Sequence, residues 1–253
     1  MLLSNQWILT AAHCLRKRLY VRAGEHDLTE VEDTEQQERV AMMFEHPNYD
    51  PVTVESDIAL LKMRIPFELS PDVQPICLPH EEDELPFYAR ATIRATIVDK
   101  RVQALRYNLT NPFGRPFRFL FHILRKFIII IYLFLLINLF FVGWGTRTSE
   151  SVYVENVLLE TNVPIIPPKE CRNAYKDVFI SDHMICAGFA GGRVDSCRGD
   201  SGGPLMHTQK DGTWAAYGVT SFGEGCGEKG KFGVYANVVS HLSWIKSVIK
   251  NYN

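Results

Sequence analysis

Apolar residues in this chain come in short runs, and turn-forming patches close nearly every one. From Trp7 to about Pro79 the runs are WILTAA, LYVRAG, VAMMF and DIALLKM, with patches such as His46-Pro47-Asn48-Tyr49-Asp50-Pro51 between them. Short runs at this spacing cannot build long packing helices; they predict strands of an antiparallel barrel or sandwich. The same texture returns from Gly143 to Asn237, richer in Gly and Pro, with AAYGVTSF and GVYANV as strands. His241–Ile249 (HLSWIKSVI) has the apolar spacing of a helix and reads as a terminal one. A chain of 253 residues can bury a sizeable core, as one large all-β unit or two smaller lobes. Two β lobes and a closing helix are the expected architecture.

Cys14, Cys77, Cys171, Cys186, Cys197 and Cys226 are scattered and form no CxxC pair, which argues against a zinc ribbon or a thioredoxin-type site. Such spacing suits disulfides in an oxidising compartment. Secretion needs a signal peptide, and Met1–Trp7 has neither a basic start, an apolar core nor a cleavage site. The protein is then either cytosolic or without its true beginning, and the motifs below favour the second. The composition, 46% hydrophobic and 22% charged, is that of an ordinary globular protein, and a net charge of −2 gives no reason to expect nucleic acid.

One segment breaks the pattern. Phe117–Val142 reads FRFLFHILRKFIIIIYLFLLINLFFV, and from Phe127 onward only Asn138 interrupts the apolar run. A membrane helix needs about 20 apolar residues. Hydropathy alone makes this a borderline span, with Arg125 and Lys126 as its basic flank.

Three motifs carry chemistry: LTAAHC with His13, SDIALLK with Asp57, and DSCRGDSGGPL with Ser201. A serine hydroxyl is a poor nucleophile at neutral pH and needs a base within hydrogen-bond reach, itself oriented by a third group. The order His…Asp…Ser is one known solution. The glycines after Ser201 let the backbone turn tightly and approach a substrate closely.

Together these motifs resemble the chymotrypsin/trypsin family over most of the chain. The resemblance implies two six-stranded antiparallel barrels, the first incomplete here, with the catalytic groups in the cleft between them. Residues 1–98 would be a truncated first barrel carrying His13 and Asp57, 99–142 an anomalous insert, and 143–253 the second barrel and helix carrying Ser201. It further implies a serine endopeptidase working through an acyl-enzyme. His13 would be base and then acid, Asp57 its orienting partner, Ser201 the nucleophile, and the N–H groups of Gly199 and Ser201 the oxyanion hole. Asp195 would lie on the floor of the specificity pocket, with Ser196 beside it and Gly223 and Gly233 as walls, selecting Arg or Lys before the scissile bond. Phe222 stands where the family's SWG motif has Trp. Arg198 stands where Gln is common, and it should line the pocket rim and favour acidic residues near the scissile bond.

The loop GEHDLTEVEDTE matches the family's calcium loop, which implies Ca²⁺ held by the carboxylates of Glu25, Glu32 and Glu35 and the carbonyls of Asp27 and Glu30. Ca²⁺ takes about six to eight oxygen ligands, so five protein groups are a plausible set. The pairs Cys171–Cys186 and Cys197–Cys226 match family disulfides. Cys14 would pair with a cysteine upstream, and Cys77 would tie the protease to a pro-segment. Family members begin, after activation cleavage, with an Ile-Val-Gly-Gly type terminus whose ammonium pairs with the residue before the nucleophile, here Asp200. With His13 so close to the start, the chain as written is expected to be secreted in its complete form, to act on proteins, to meet serpin-type inhibitors, and to be inactive as it stands. The alternatives are a non-catalytic family member serving as a binding module, and a membrane-tethered protein. A single membrane crossing by the apolar segment would separate His13 and Asp57 from Ser201, so a translated intron or similar error over roughly Asp99–Phe141 is preferred to a genuine hydrophobic insertion. The sequon Asn108-Leu109-Thr110 falls inside that stretch and is discounted.

Overall fold

The computed structural model describes residues 1–83, Leu85, Phe87, 90–92 and 141–253. The sequon and the apolar run up to residue 140 lie outside the described residues. Among the described residues, no helix is long and apolar enough to cross a membrane.

Two curled antiparallel sheets carry the chain. The first holds β1 (Trp7–Thr10), β2 (Tyr20–Ala23), β3 (Gln36–Glu45) and β4 (Ala59–Met63) in the order β1-β4-β3-β2. Strands β1 and β4 read as continuous apolar runs because both of their faces are covered. Trp7, Leu9, Ile58 and Leu60 face a core shared with Val219, Leu242 and Ile245, while Ile8, Leu61 and Met63 face a second core with Val40, Phe67 and Val73.

The second sheet comprises β5 (Arg90–Thr92), β6 (Phe141–Gly143), β7 (Leu159–Ile166), β8 (Met184–Ala187), β9 (Pro204–Thr208), β10 (Trp214–Phe222) and β11 (Gly233–Asn237). Its order is β5-β9-β10-β11-β8-β7-β6, and β5 also pairs with β7, so six of the strands close into a ring. Closure leaves the ring without an open edge. A short helix, α1 (Pro168–Ala174), follows β7, and the chain ends in α2 (Val238–Tyr252), where Asn237 Oδ1 accepts the Val239 N–H at 3.1 Å as an N-cap. The expectation of two β lobes and a closing helix stands, with four strands in the first sheet.

Strands β5 and β6 share one ladder. Arg90, Ala91 and Thr92 face Pro164, Val163 and Asn162 of β7, and Phe141, Val142 and Gly143 face Thr161, Glu160 and Leu159. Thr92 and Phe141 therefore occupy consecutive places along β7, although residues 93–140 separate them in the chain. Phe141 and Val142, the end of the apolar run, belong to the ladder.

Candidate active site

His13 sits in a 3₁₀ turn, Ala12–Cys14, directly after β1. Asp57 directly precedes the apolar Ile58 that leads into β4, and because β1 and β4 are paired, the two come together. His13 Nδ1 lies 2.6 Å from Asp57 Oδ2, and the His13 backbone N–H donates to Oδ1 at 2.9 Å. Asp57 is 1% exposed, and a carboxylate buried this deeply must have its oxygens filled. The third donor is Ser221, whose Oγ–H donates to Oδ2 in a short bond. Sequence reasoning missed Ser221. It stands at a bulge, where the register of β10 on β11 shifts between Thr220 and Phe222, and bulges re-aim side chains; its place as the serine of the SWG-like motif at Phe222 was the one signal that could have found it. The bond to Asp57 holds the His13 imidazole above its ordinary pKa, and the Cys14 thiol raises it further.

The loop bearing Ser201 is latched to β10 and to β1. Gly202 N–H donates to Thr220 O, Thr220 N–H to Gly203 O, both at 2.8 Å, and Gly203 N–H to Asp200 O at 2.9 Å. Gly202 lies so close to the end of β1 that a Cβ there would come within 2.2 Å of Thr10 Oγ1, so no side chain is tolerated. This contact brings the Ser201 loop beside the turn that carries His13. Among the described residues, the N–H groups of Gly199 and Ser201 have no acceptor. Ser201 Oγ makes no hydrogen bond with His13 among them either; Cys14 Sγ faces His13 Nε2 at 3.6 Å.

Asp195 accepts the Ser196 N–H on Oδ1 at 2.8 Å and the Gly227 N–H on Oδ2 at 3.2 Å. Burial raises its pKa to about 6 against these bonds. Ser196 Oγ is 3.2 Å from the hydroxyl of Tyr235, a buried residue of β11 that the motifs had not singled out. A Cβ on Gly233 would stand 2.6 Å from Asp195 Oδ1, whereas one on Gly223 would meet nothing closer than 3.9 Å. Glycine at 233 is thus required by the carboxylate, whereas a Cβ at 223 would make only ordinary van der Waals contacts.

Asp200 is 7% exposed. Its carboxylate accepts N–H bonds from Gly145 at 2.9 Å and Cys197 at 2.8 Å, and burial raises its pKa. Among the described residues, no cation pairs with it. It lines a cavity of ≈ 270 Å³ with Ile8, Val73, Trp144 and Pro204.

Glu25, Glu32 and Glu35 converge, with one oxygen of each within 4.8 Å of the others. The oxygens are held by backbone N–H groups: His26 to Glu25 and Glu32, Asp27 to Glu32, Glu32 and Thr34 to Glu35. Glu25 is buried, and three like charges at this spacing are the donor set a hard cation would take. Asp27 carries a carbonyl already accepting the Glu30 N–H at 3.1 Å. The loop is stitched to the second sheet, since the His26 carbonyl accepts from Trp144 Nε1 and the Leu158 N–H, both at 3.0 Å. Cys171 is bridged to Cys186 and Cys197 to Cys226, the latter bracing the segment from Asp195 to Gly227. Cys14 and Cys77 are free thiols, that of Cys77 exposed.

The trypsin family's sequence profile matches residues 1–100 and 138–245. The two blocks take in both sheets and leave out 101–137. Vitamin K-dependent protein C of Oryctolagus cuniculus is 33% identical over 258 residues, covering 98% of this chain and 46% of that protein. Trypsin II-P29 of Gallus gallus is 31% identical over 251 residues, covering 99% of this chain and 79% of that protein. Vitamin K-dependent protein C of Mus musculus is 31% identical over 254 residues, and the chain spans 45% of its length.

Proposed function

Because the chain belongs to the trypsin family of serine proteases, we propose that it is a secreted endopeptidase cleaving after Arg or Lys. The observation that carries this reading is the buried Asp57 carboxylate, whose three donors fix the His13 ring. With Nδ1–H committed to Asp57, Nε2 is left as the base. It takes the Ser201 proton as Oγ attacks the carbonyl carbon, and the developing oxyanion meets the Gly199 and Ser201 N–H groups. The proton then passes to the leaving amine, the C–N bond breaks, and water drawn by His13 releases the acyl group from Ser201.

Asp195 supports the Arg/Lys preference. A carboxylate held in its charged form only against burial gains most from a guanidinium or ammonium that replaces lost water. Secretion is supported by the two disulfides among the described residues, which persist in oxidising compartments. The substrates would be proteins with exposed Arg or Lys, the inhibitors of serpin type, and Cys77 the anchor for an upstream pro-segment. Asp200 would await an N-terminal ammonium, and the chain would stay inactive until one reaches it.

One observation favours a second reading, a non-catalytic family member that binds without cleaving: Cys14 Sγ rather than Ser201 Oγ faces His13 Nε2. Titration with a serine-reactive organophosphate decides between them, on protein extended so that cleavage frees a terminus able to reach Asp200. Stoichiometric labelling lost in Ser201→Ala supports the protease, and absence of labelling in the extended protein supports the binding module.

Ca²⁺ is proposed for the Glu25–Glu35 loop, where it would add to the Arg22 charge already paired with Glu25 in neutralising the three carboxylates, with the Asp27 and Glu30 carbonyls completing the set. A ligand bound only by the folded state stabilises it by about 2.7 kcal/mol at a hundredfold excess over Kd. Chelation is therefore expected to lower the melting temperature by several degrees and to open the loop to proteolysis, and Glu32→Gln should reproduce both effects. Superimposable melting curves with and without Ca²⁺ would leave an acidic surface loop and no more.

A further inference from the structure

The loop between the His13 turn and β2 is Leu15-Arg16-Lys17-Arg18-Leu19. Leu15 and Leu19 are partly buried against the core of the first sheet, which pins both ends. The three cations between them are exposed. Arg16 is fixed beside the catalytic turn, its Nη1 donating to the carbonyls of His13 and Leu15, each at 2.8 Å. Among the described residues, none of the three has an acidic partner, while nearby Arg22 is already paired with Glu25 at 2.8 Å. Arg198, exposed and held by Ser149 O at 2.7 Å, adds a fourth uncompensated cation three residues before Ser201. A net charge of −2 thus conceals a local cluster of one sign.

The side of the scissile bond that meets this cluster follows from the chemistry. The residue before the bond places its side chain at Asp195, and the amine that leaves takes its proton from His13. The segment after the bond therefore runs out past His13, toward the loop anchored on its carbonyl. Building on the protease reading above, we infer that Arg16, Lys17 and Arg18 select substrates with acidic residues just after the scissile bond. Uncompensated cations on that side attract carboxylates and repel a basic segment, which gives discrimination as well as affinity.

The test is binding, measured on the whole chain carrying Ser201→Ala so that nothing is cut. Three fluorescent peptides share a single arginine: one has three acidic residues after it, one has three lysines after it, and one has the acidic residues before it. At low salt the first is expected to bind about tenfold or more tightly than the second, the sum of several exposed ion pairs. The gap should close at 1 M salt, where screening acts within about 3 Å. Lys17→Glu combined with Arg18→Glu, which leaves the Arg16 bonds to the His13 turn in place, should erase or invert it. Equal binding of the first two peptides, absence of binding included, overturns the inference, as does a preference for acids before the arginine or a gap that survives the double variant. An arylamidine measured alongside reports on the Asp195 pocket: its failure to bind counts against Arg-directed cleavage, and its binding beside indifferent peptides counts against the acidic selection alone.

Discussion

Joining Thr92 directly to Phe141, in a chain extended so that cleavage frees an Ile-Val type terminus able to reach Asp200, is expected to produce clear hydrolysis of a small Arg-amide. The 253-residue chain itself should give no turnover above its Ser201→Ala blank. Two observations motivate this contrast. Thr92 and Phe141 pair with Asn162 and Thr161 of β7, so the joined chain runs its strand along β7 without a change of register. A register slip of one residue would have turned every side chain to the wrong face, so this continuity is what makes removal of 93–140 tolerable. The family profile also leaves out 101–137, the greater part of the segment removed. Asp200 supplies the second motive: among the described residues no cation pairs with its buried carboxylate, and a broken buried pair costs about 3–5 kcal/mol, or roughly 10²–10⁴-fold in any step that depends on its loop. Turnover by the unmodified chain would sink the idea, because the oxyanion donors would then hold without the ammonium. A joined chain that aggregates where the original stays soluble would show that the ladder does not carry the strand alone.

Asp195→Ser should reduce cleavage after Arg and Lys by about 10²–10⁴-fold, the cost of stripping one partner from a buried charge pair, and leave weak cleavage after apolar residues. Protonation should act in the same direction. Burial raises the Asp195 pKa to about 6, so the free pocket loses its charge as pH falls through that value and arylamidine affinity should fall with it, releasing the cation below. Asp195→Asn should bind the amidine weakly and show no such pH dependence between about 5 and 8, a window lying on both sides of the wild-type value. Retained Arg cleavage in Asp195→Ser would mean that the pocket floor lies elsewhere.

Much of the fold was legible because its determinants are local. Alternating or continuous apolar runs closed by turn residues specify strands, and HLSWIKSVI specifies a helix by its period alone. The motif residues His13, Asp57 and Ser201 were legible for another reason: chemistry requires rare residue types in a fixed local setting, such as glycines flanking a nucleophile. The glycines of Gly143-Trp144-Gly145 were visible as letters, but their cause was not. A Cβ on Gly143 or Gly145 would strike the Asp200 carboxylate at 1.7 or 2.2 Å, a contact between segments that only the closed second sheet brings together.

What tertiary structure decided is what long-range pairing sets. Ser221 reaches Asp57 across 164 residues because a bulge in β10 turns it there, and no periodicity announces a bulge. The stitching of the acidic loop to Trp144 and Leu158 depends on how two sheets lie against each other. The unbroken register of β5 and β6 on β7 appears only when a third strand measures both, since hydrogen bonding reads position along a ladder and is indifferent to how much chain lies between. Residue types and local periods thus determined which elements form and which side chains can do chemistry. Their alignment, and with it the state of the His13 and Asp200 sites, came from backbone pairing and burial between distant segments, where each contact is fixed by all the others.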